Sequence, residues 1–376
     1  MFKNHLISIA VIGSLLCGSL GVASAKTVWQ QDDQYVKAFG RVQLQYQYTD
    51  ADNQSGVDDL FFRRVRLGLA AGDADWHGKV EIDFGKAKGG NEAAVKSAWL
   101  GYKGWSWAEI RLGNHDAAFS RELLTSSKRT QLIERSFVGN HNYGTPDKQL
   151  GVHLLSRHTP KWFSWRASLA KACLDPDNNK LDLDSCAVKD ADWLQGNLIA
   201  ARAEWHPMGA VKMTQGDIQP SGWRYSIGVA AMTWHNDDDN NNGDNRDVDQ
   251  ANGMEVSFAL RGRGLSLDVQ HNRFNANLLN SNATDGLYRN SETVLTNTAI
   301  EAGYTIIPKT LEIVGGYSLQ DADNYASQWQ RQELGVNWFF EGHNIKWQNT
   351  VTRDSNIDGQ RGRDQNTLRS QVQYVF

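Results

Sequence analysis

The stretch VKAFGRVQLQYQY, residues 36–48, places Val36, Ala38, Val42, Leu44, Tyr46 and Tyr48 at even positions and Lys37, Arg41, Gln43, Gln45 and Gln47 at odd ones. A period of two puts the two sets on opposite faces of a β-strand, one greasy and one wet. WHGKVEIDF, residues 76–84, repeats the pattern with Trp76, Val80, Ile82 and Phe84 against His77, Lys79, Glu81 and Asp83. A wet face that carries charge suits a solvated interior.

Working outward, similar segments recur near 60–72, 94–103, 107–113, 148–156, 162–171, 195–205, 222–234, 252–261, 264–273, 296–305, 310–319, 330–340, 344–352 and 366–376, sixteen with the first two. A seventeenth at 209–216 alternates poorly and is left out, because bacterial single-chain membrane barrels have even strand numbers. Short turns, such as Gly104-Trp105-Ser106, Gly262-Arg263 and Glu341-Gly342-His343, alternate with long polar connections, such as 114–147, 172–194, 235–251, 274–295 and 353–365. Long connections on one rim and short ones on the other are the signature of a transmembrane barrel. The exception is 206–221, a long connection where a short turn belongs. The fold expected is therefore all-β: a transmembrane antiparallel β-barrel of sixteen strands.

Residues 1–25 read as a secretory signal peptide: Lys3, an apolar run from Leu6 to Leu20, then Ala23-Ser24-Ala25. Residues 26–376 form the expected barrel domain of an outer-membrane protein. Past the leader no window approaches the roughly 20 apolar residues of a membrane helix. The mean hydropathy of -0.54 is too polar for a helical membrane bundle, yet 14 Trp, 11 Tyr and 13 Phe are many for ordinary soluble domains. Tyr46, Tyr48, Trp105, Trp107, Trp162, Trp165, Trp338 and Trp347 fall near strand ends, where they would form interfacial girdles. A soluble β-sandwich, the alternative, would have to bury them. Outer-membrane lipid and lipopolysaccharide are the surroundings this surface implies.

The net charge of -4, or -5 once Lys3 leaves with the leader, excludes nucleic acid as a simple electrostatic partner. Of the cysteines, Cys173 and Cys186 remain, and an exported pair reads as a disulfide stapling the polar loop LDPDNNKLDLDS.

Candidate chemistry begins in FFRRVRLGL, residues 61–69. Strict alternation sends Arg64 and Arg66 to the lumen and Arg63 to the lipid side, where an arginine costs roughly 2–4 kcal/mol at the midplane. Arg63 is therefore expected beside a bulge or near the rim. Guanidinium groups suit an oxyanion path, since they donate paired hydrogen bonds and stay charged at every relevant pH. The 114–147 connection is long enough to need a function, and its TSSKRTQLIERS gathers Ser126 and Ser127 with Lys128, Arg129 and Arg135. Folded into the lumen, these groups could replace the hydration shell of an anion; left outside, they are a solvated loop.

FFRRVRLGL, KVEIDF, EIRLGNHDAAFSRELLTSSKRTQLIERS (109–136) and the aromatic C-terminus LRSQVQYVF resemble the outer-membrane phosphate-selective porins O and P. The resemblance runs from about Phe39 to Phe376. It implies a trimeric sixteen-stranded barrel whose long third loop folds into the lumen and narrows the pore. It further implies that Arg63, Arg64, Ser126, Ser127 and Arg135 line a site for inorganic phosphate or another small anion, with Lys128 beside them. Asp83 would keep binding weak, and Arg66, Arg121 and Arg129 would form a secondary path. Better-known members carry a lysine three residues before the Ser-Ser pair; here Leu123 stands there, and Arg129 or Arg121 would have to compensate.

DDDNNNGDNRDVD, residues 237–249, spaces Asp238, Asn240, Asn242 and Asp249 like a calcium loop. Calcium in the external loops is the one cofactor the sequence raises, and Asp175, Asp177 and Asn179 raise it again. Function is expected to be passive diffusion of anions. The rivals are a nonselective or cation-preferring porin, a barrel enzyme, for which no Ser-His constellation is assignable, and an adhesin.

Overall fold

The computed structural model describes residues 25–52, 56–85, 93–157, 162–185, 187, 193–237, 247–279 and 282–376; the expected leader lies outside these. In chain order the strands are β1 (Lys26–Gln31), β2 (Gln34–Ala51), β3 (Val57–Gly72), β4 (Trp76–Asp83), β5 (Ala94–Tyr102), β6 (Ala108–Asp116), β7 (Lys148–Ser156), β8 (Phe163–Leu174) and β9 (Leu194–Trp205). They continue as β10 (Arg224–Asn236), β11 (Val248–Gly262), β12 (Leu265–Leu278), β13 (Glu292–Ile307), β14 (Leu311–Asp321), β15 (Trp329–Glu341), β16 (Ile345–Ser355) and β17 (Gln365–Val375).

β2 to β17 each pair antiparallel with their sequence neighbours, and β17 returns to β2, so sixteen strands close a barrel. The short β1 is additional: it turns at Asp32, in the left-handed region, and forms a hairpin with the start of β2. KTVWQQ lacks the alternation that marks the other strands, and all six residues are exposed. At the seam Gly40 and Phe376 exchange backbone hydrogen bonds of 2.8 and 3.0 Å. A Cβ at position 40 would lie 2.5 Å from the terminal Phe376 ring, so glycine there makes room for it.

Burial runs opposite to that of a soluble protein. Leu67 and Leu69 are 50% and 56% exposed on the outer face, while Gln43 and Gln45 on the inner face are fully buried. Lipid is the solvent for the first pair; in it every strand N–H and C=O must bond to a neighbouring strand, which only a closed sheet allows.

The inner amides are buried because the lumen is partly filled. The connection 117–147, the third on the rim bearing long loops, folds inward and contains the only α-helical turn among the described residues, α1 (Arg121–Leu124). Phe119, Phe137 and Tyr143 from it pack with Leu181 and Leu183 of the next long loop, Leu287 and Tyr288 of 279–291, and Trp234, Phe274 and Trp329 of the wall. One side of the lumen thus holds an apolar core. On the opposite, periplasmic rim the 206–223 connection forms no strand.

Candidate functional site

A loop that crosses a barrel carries carbonyls away from water, and buried carbonyls need donors. The wet faces of the strands supply them. Gln373 donates to the Lys128 carbonyl at 3.1 Å, Lys346 to that of Thr130 at 2.8 Å, and Asn337 and Gln348 to that of Gln131 at 2.9 and 2.8 Å. Farther along, Asn272 and Asn297 donate to the carbonyls of Val138 and Tyr143. The amides and Lys346 on the wet faces of β12, β13 and β15 to β17 are therefore the docking surface of the loop's backbone.

The tethered loop leaves an open space against β2 to β6, a cavity of about 740 Å³. Arg63, Arg64, Arg66 and Asp83 line it from the wall; Ser126, Ser127, Lys128, Arg129 and Arg135 line it from the loop. Arg63 reaches the lumen because β3 bulges between the pairs Gln43–Arg64 and Leu44–Phe62, leaving Arg63 as the extra residue. A bulge re-aims one side chain against the alternation, so consecutive arginines share a face. Arg63 donates from Nε and Nη2 to Glu134 at 3.2 and 3.0 Å, pinning wall to loop. Arg64 donates to Gln43 at 3.0 Å, and Arg66 is held by Asp83 at 2.5 Å.

Arg121 departs from its expected place. It is 2% exposed on the far side of the loop, with Nη1 2.8 Å from Glu204 and Nε 3.6 Å from Asp268. It anchors α1 to the opposite wall and does not line the cavity. Leu123, by contrast, does line it.

Several lining residues escaped the sequence reading. Arg41 donates from Nη1 to Ser127 Oγ at 2.9 Å, and Lys79 bonds Glu81 at 2.6 Å. Both stand on wet faces, so their orientation was legible; that the loop leaves this wall open was not. At the outer mouth Lys96 pairs with Asp147 at 2.5 Å, Lys148 with Asp116, and His141 with Asp182 at 2.6 Å. In all, ten Lys and Arg side chains face five carboxylates around the cavity. Burial, then the cations of Arg129, Arg41 and Lys79, push the Lys128 ammonium down to about 8. Burial would raise Glu134, but Arg63 and Arg369 override it and hold the carboxyl down to about 2.

Two stretches carry the calcium candidates. Asp238, Asn240 and Asn242 lie outside the described residues, and Asp249 sits in β11, accepting a bond from Asn277 at 2.9 Å. Asp177 accepts from the Asn179 backbone and faces Lys180 at 3.4 Å. Among the described residues no group of three His, Cys, Asp or Glu could hold a metal. Cys173 is buried at the end of β8; its expected partner Cys186 lies outside the described residues.

Residues 36–226, covering half the chain and both walls of the cavity, match the model of the family described as phosphate-selective porin O and P. The chain belongs to that family. This porin is thus a β-barrel of the bacterial outer membrane. Its relatives include a monosaccharide porin of Halomonas sp. and the major outer membrane protein of Halomonas elongata, each 29% identical over 126 residues. Those matches cover 30% of this chain and 33% of each relative, so the porin aligns with about a third of their length. Among solved structures, the channel DcaP of Acinetobacter baumannii is similar at a TM-score of 0.61 and 15% identity, over 93% of this chain and 100% of that one. The anion-selective porin from Comamonas acidovorans follows at 0.57 and 14%, over 91% and 100%. At such identities these likenesses speak for the barrel alone.

Proposed function

We propose that this porin favours anions, with phosphate or a related oxyanion as the preferred solute. The observation that carries the reading is the excess of ten basic side chains over five carboxylates around the cavity, in a chain that is acidic overall. Low-dielectric walls focus such a field and raise the local anion concentration. At the throat, Arg41, Arg63, Arg64 and Lys128 with the hydroxyls of Ser126 and Ser127 offer donors to replace a hydration shell. The cavity-lining Arg41 and Arg135 each keep a buried Nε without a hydrogen-bond partner. Asp83 and Glu81 offset Arg66 and Lys79 nearby, which keeps binding weak enough for release. Homotrimeric assembly, a Cys173–Cys186 bridge, and a belt of lipid and lipopolysaccharide complete the proposal.

A second reading, a general diffusion porin that also passes small sugars, draws on the Halomonas relative's description and on lumenal Trp99, beneath the Arg111 guanidinium at 4.2 Å. Planar-bilayer recordings separate the two. An anion channel gives an anion-directed reversal potential in a chloride gradient and a chloride current blocked by low phosphate. Cation preference would overturn the anion reading, and absence of block the phosphate site.

A further inference from the structure

The other connections on the periplasmic rim are two to six residues long, whereas 206–223 has eighteen. The added length turns inward: His206, Val211, Gln215 and Asp217 are buried. Its C-terminal part is fixed to the rim, where the Ile218 carbonyl accepts from Lys309 N–H at 2.6 Å and Asp217 from Gly264 N–H at 2.7 Å. Its middle reaches the inward loop. The carbonyls of Lys128, Thr130 and Gln131 are all held by wall side chains. The Arg129 carbonyl is held instead by Gln215, whose backbone N–H donates to it at 3.0 Å. Gln215 Oε1 also accepts from Gln131 N–H at 2.8 Å, and its Nε2 donates to Glu301 of β13 at 3.1 Å. A buried amide used at every polar atom specifies one arrangement of the parts it joins.

We infer that Gln215 is a positioning residue of the throat: the 206–223 segment is a strut that fixes Lys128 and Arg129 from the periplasmic side and so sets how tightly the throat holds an anion. The strut rests on the anion reading for one of its two readouts only.

The test is single-channel recording of the full-length protein with Gln215→Ala, Gln215→Asn, and Lys212→Ala as control, since Lys212 contacts Arg121 through its backbone carbonyl alone. Heat-modifiability of the folded barrel is followed in parallel. Gln215→Ala is expected to weaken phosphate block of chloride current about tenfold, the order expected for losing a buried hydrogen-bonded amide, and to raise open-channel noise, with the barrel's unfolding unchanged. Gln215→Asn should retain part of the block, and it carries the test if the alanine variant does not assemble. Block and noise equal to wild type in Gln215→Ala would overturn the strut, as would their loss only in step with barrel stability. If wild type shows no phosphate block, the phosphate reading falls, while the strut still requires the rise in noise.

Discussion

Arg63 and Glu134, one forced inward by a strand bulge and the other near the end of the basic loop segment, meet in a two-point ion pair across the throat. The pair occupies Nε and Nη2 of Arg63 and offsets the charge it presents to the solute. Replacing Glu134 by Gln frees Arg63, and phosphate block is expected to strengthen about three- to tenfold, with slower release. Block titrations on single channels check this; weaker block would mean that the pair acts mainly to hold the loop. Since Glu134 titrates near 2 instead of 4.5, the pair's contribution is fully present above pH 4.5 and is lost only as pH falls through about 2. Loop closure should accordingly survive mild acid.

Lys128 sets the alkaline limit. Its folded value lies near 8, so its charge is present at pH 7 and leaves as pH rises through 8. The groups facing it are Arg129 on the loop, Arg41 of β2, and Lys79 and Glu81 of β4. Anion preference, read from reversal potentials, should step down between pH 7 and 9, and Lys128→Met should abolish the step.

Arg135 serves the throat and the loop at once, because its Nη2 donates to the carbonyls of Leu123 and Thr125 at 3.2 and 2.7 Å. Arg135→Ala is expected to weaken phosphate block by about tenfold or more. Arg135→Lys should restore conductance more than block, since an ammonium lacks the planar fork.

Phe137 anchors the loop in the apolar core, with ring centroids 4.7 Å from Trp329 and 5.7 Å from Tyr143. Phe137→Ala should cost about 3–5 kcal/mol of loop docking. Larger and noisier currents from a barrel that still assembles are the expected signature; unchanged conductance would show that the tethers to the wall suffice.

The proposed Cys173–Cys186 bridge spans the loop that clamps the inward one, where Gly144 N–H donates to the Leu181 carbonyl at 2.8 Å and Leu181 N–H to that of Asn142 at 3.0 Å. A bridge closing such a loop contributes about 3 kcal/mol. Thiol labelling of the unfolded protein should require prior reduction, and reduction should raise channel noise.

The sixteen strands were legible because lipid outside and water inside impose a period of two. Their outer ends were less so: β11 begins at Val248 and β13 at Glu292, each four residues before the alternation that marks it. Pairing continues above the apolar band, where nothing forces one face to be greasy. In the throat, alternation placed Arg64 and Arg66, and it flagged Arg63 as misplaced without revealing the bulge. Arg121 was misread because a helical turn between it and Ser126 sends the two to opposite sides of the loop. Which wall the loop docks on depends on contacts as distant as Lys346 with Thr130, and no local pattern encodes them.

The apolar cluster around Phe137, Trp234 and Tyr288 gives this membrane protein two stability regimes. Its outer face is stabilised by lipid and keeps that solvent as long as the barrel stays embedded. The lumenal cluster excludes water, so its cohesion follows the hydrophobic effect and weakens on cooling. Seating of the inward loop should therefore depend on temperature independently of the wall, and conductance on cooling should fall less than ion mobility alone dictates.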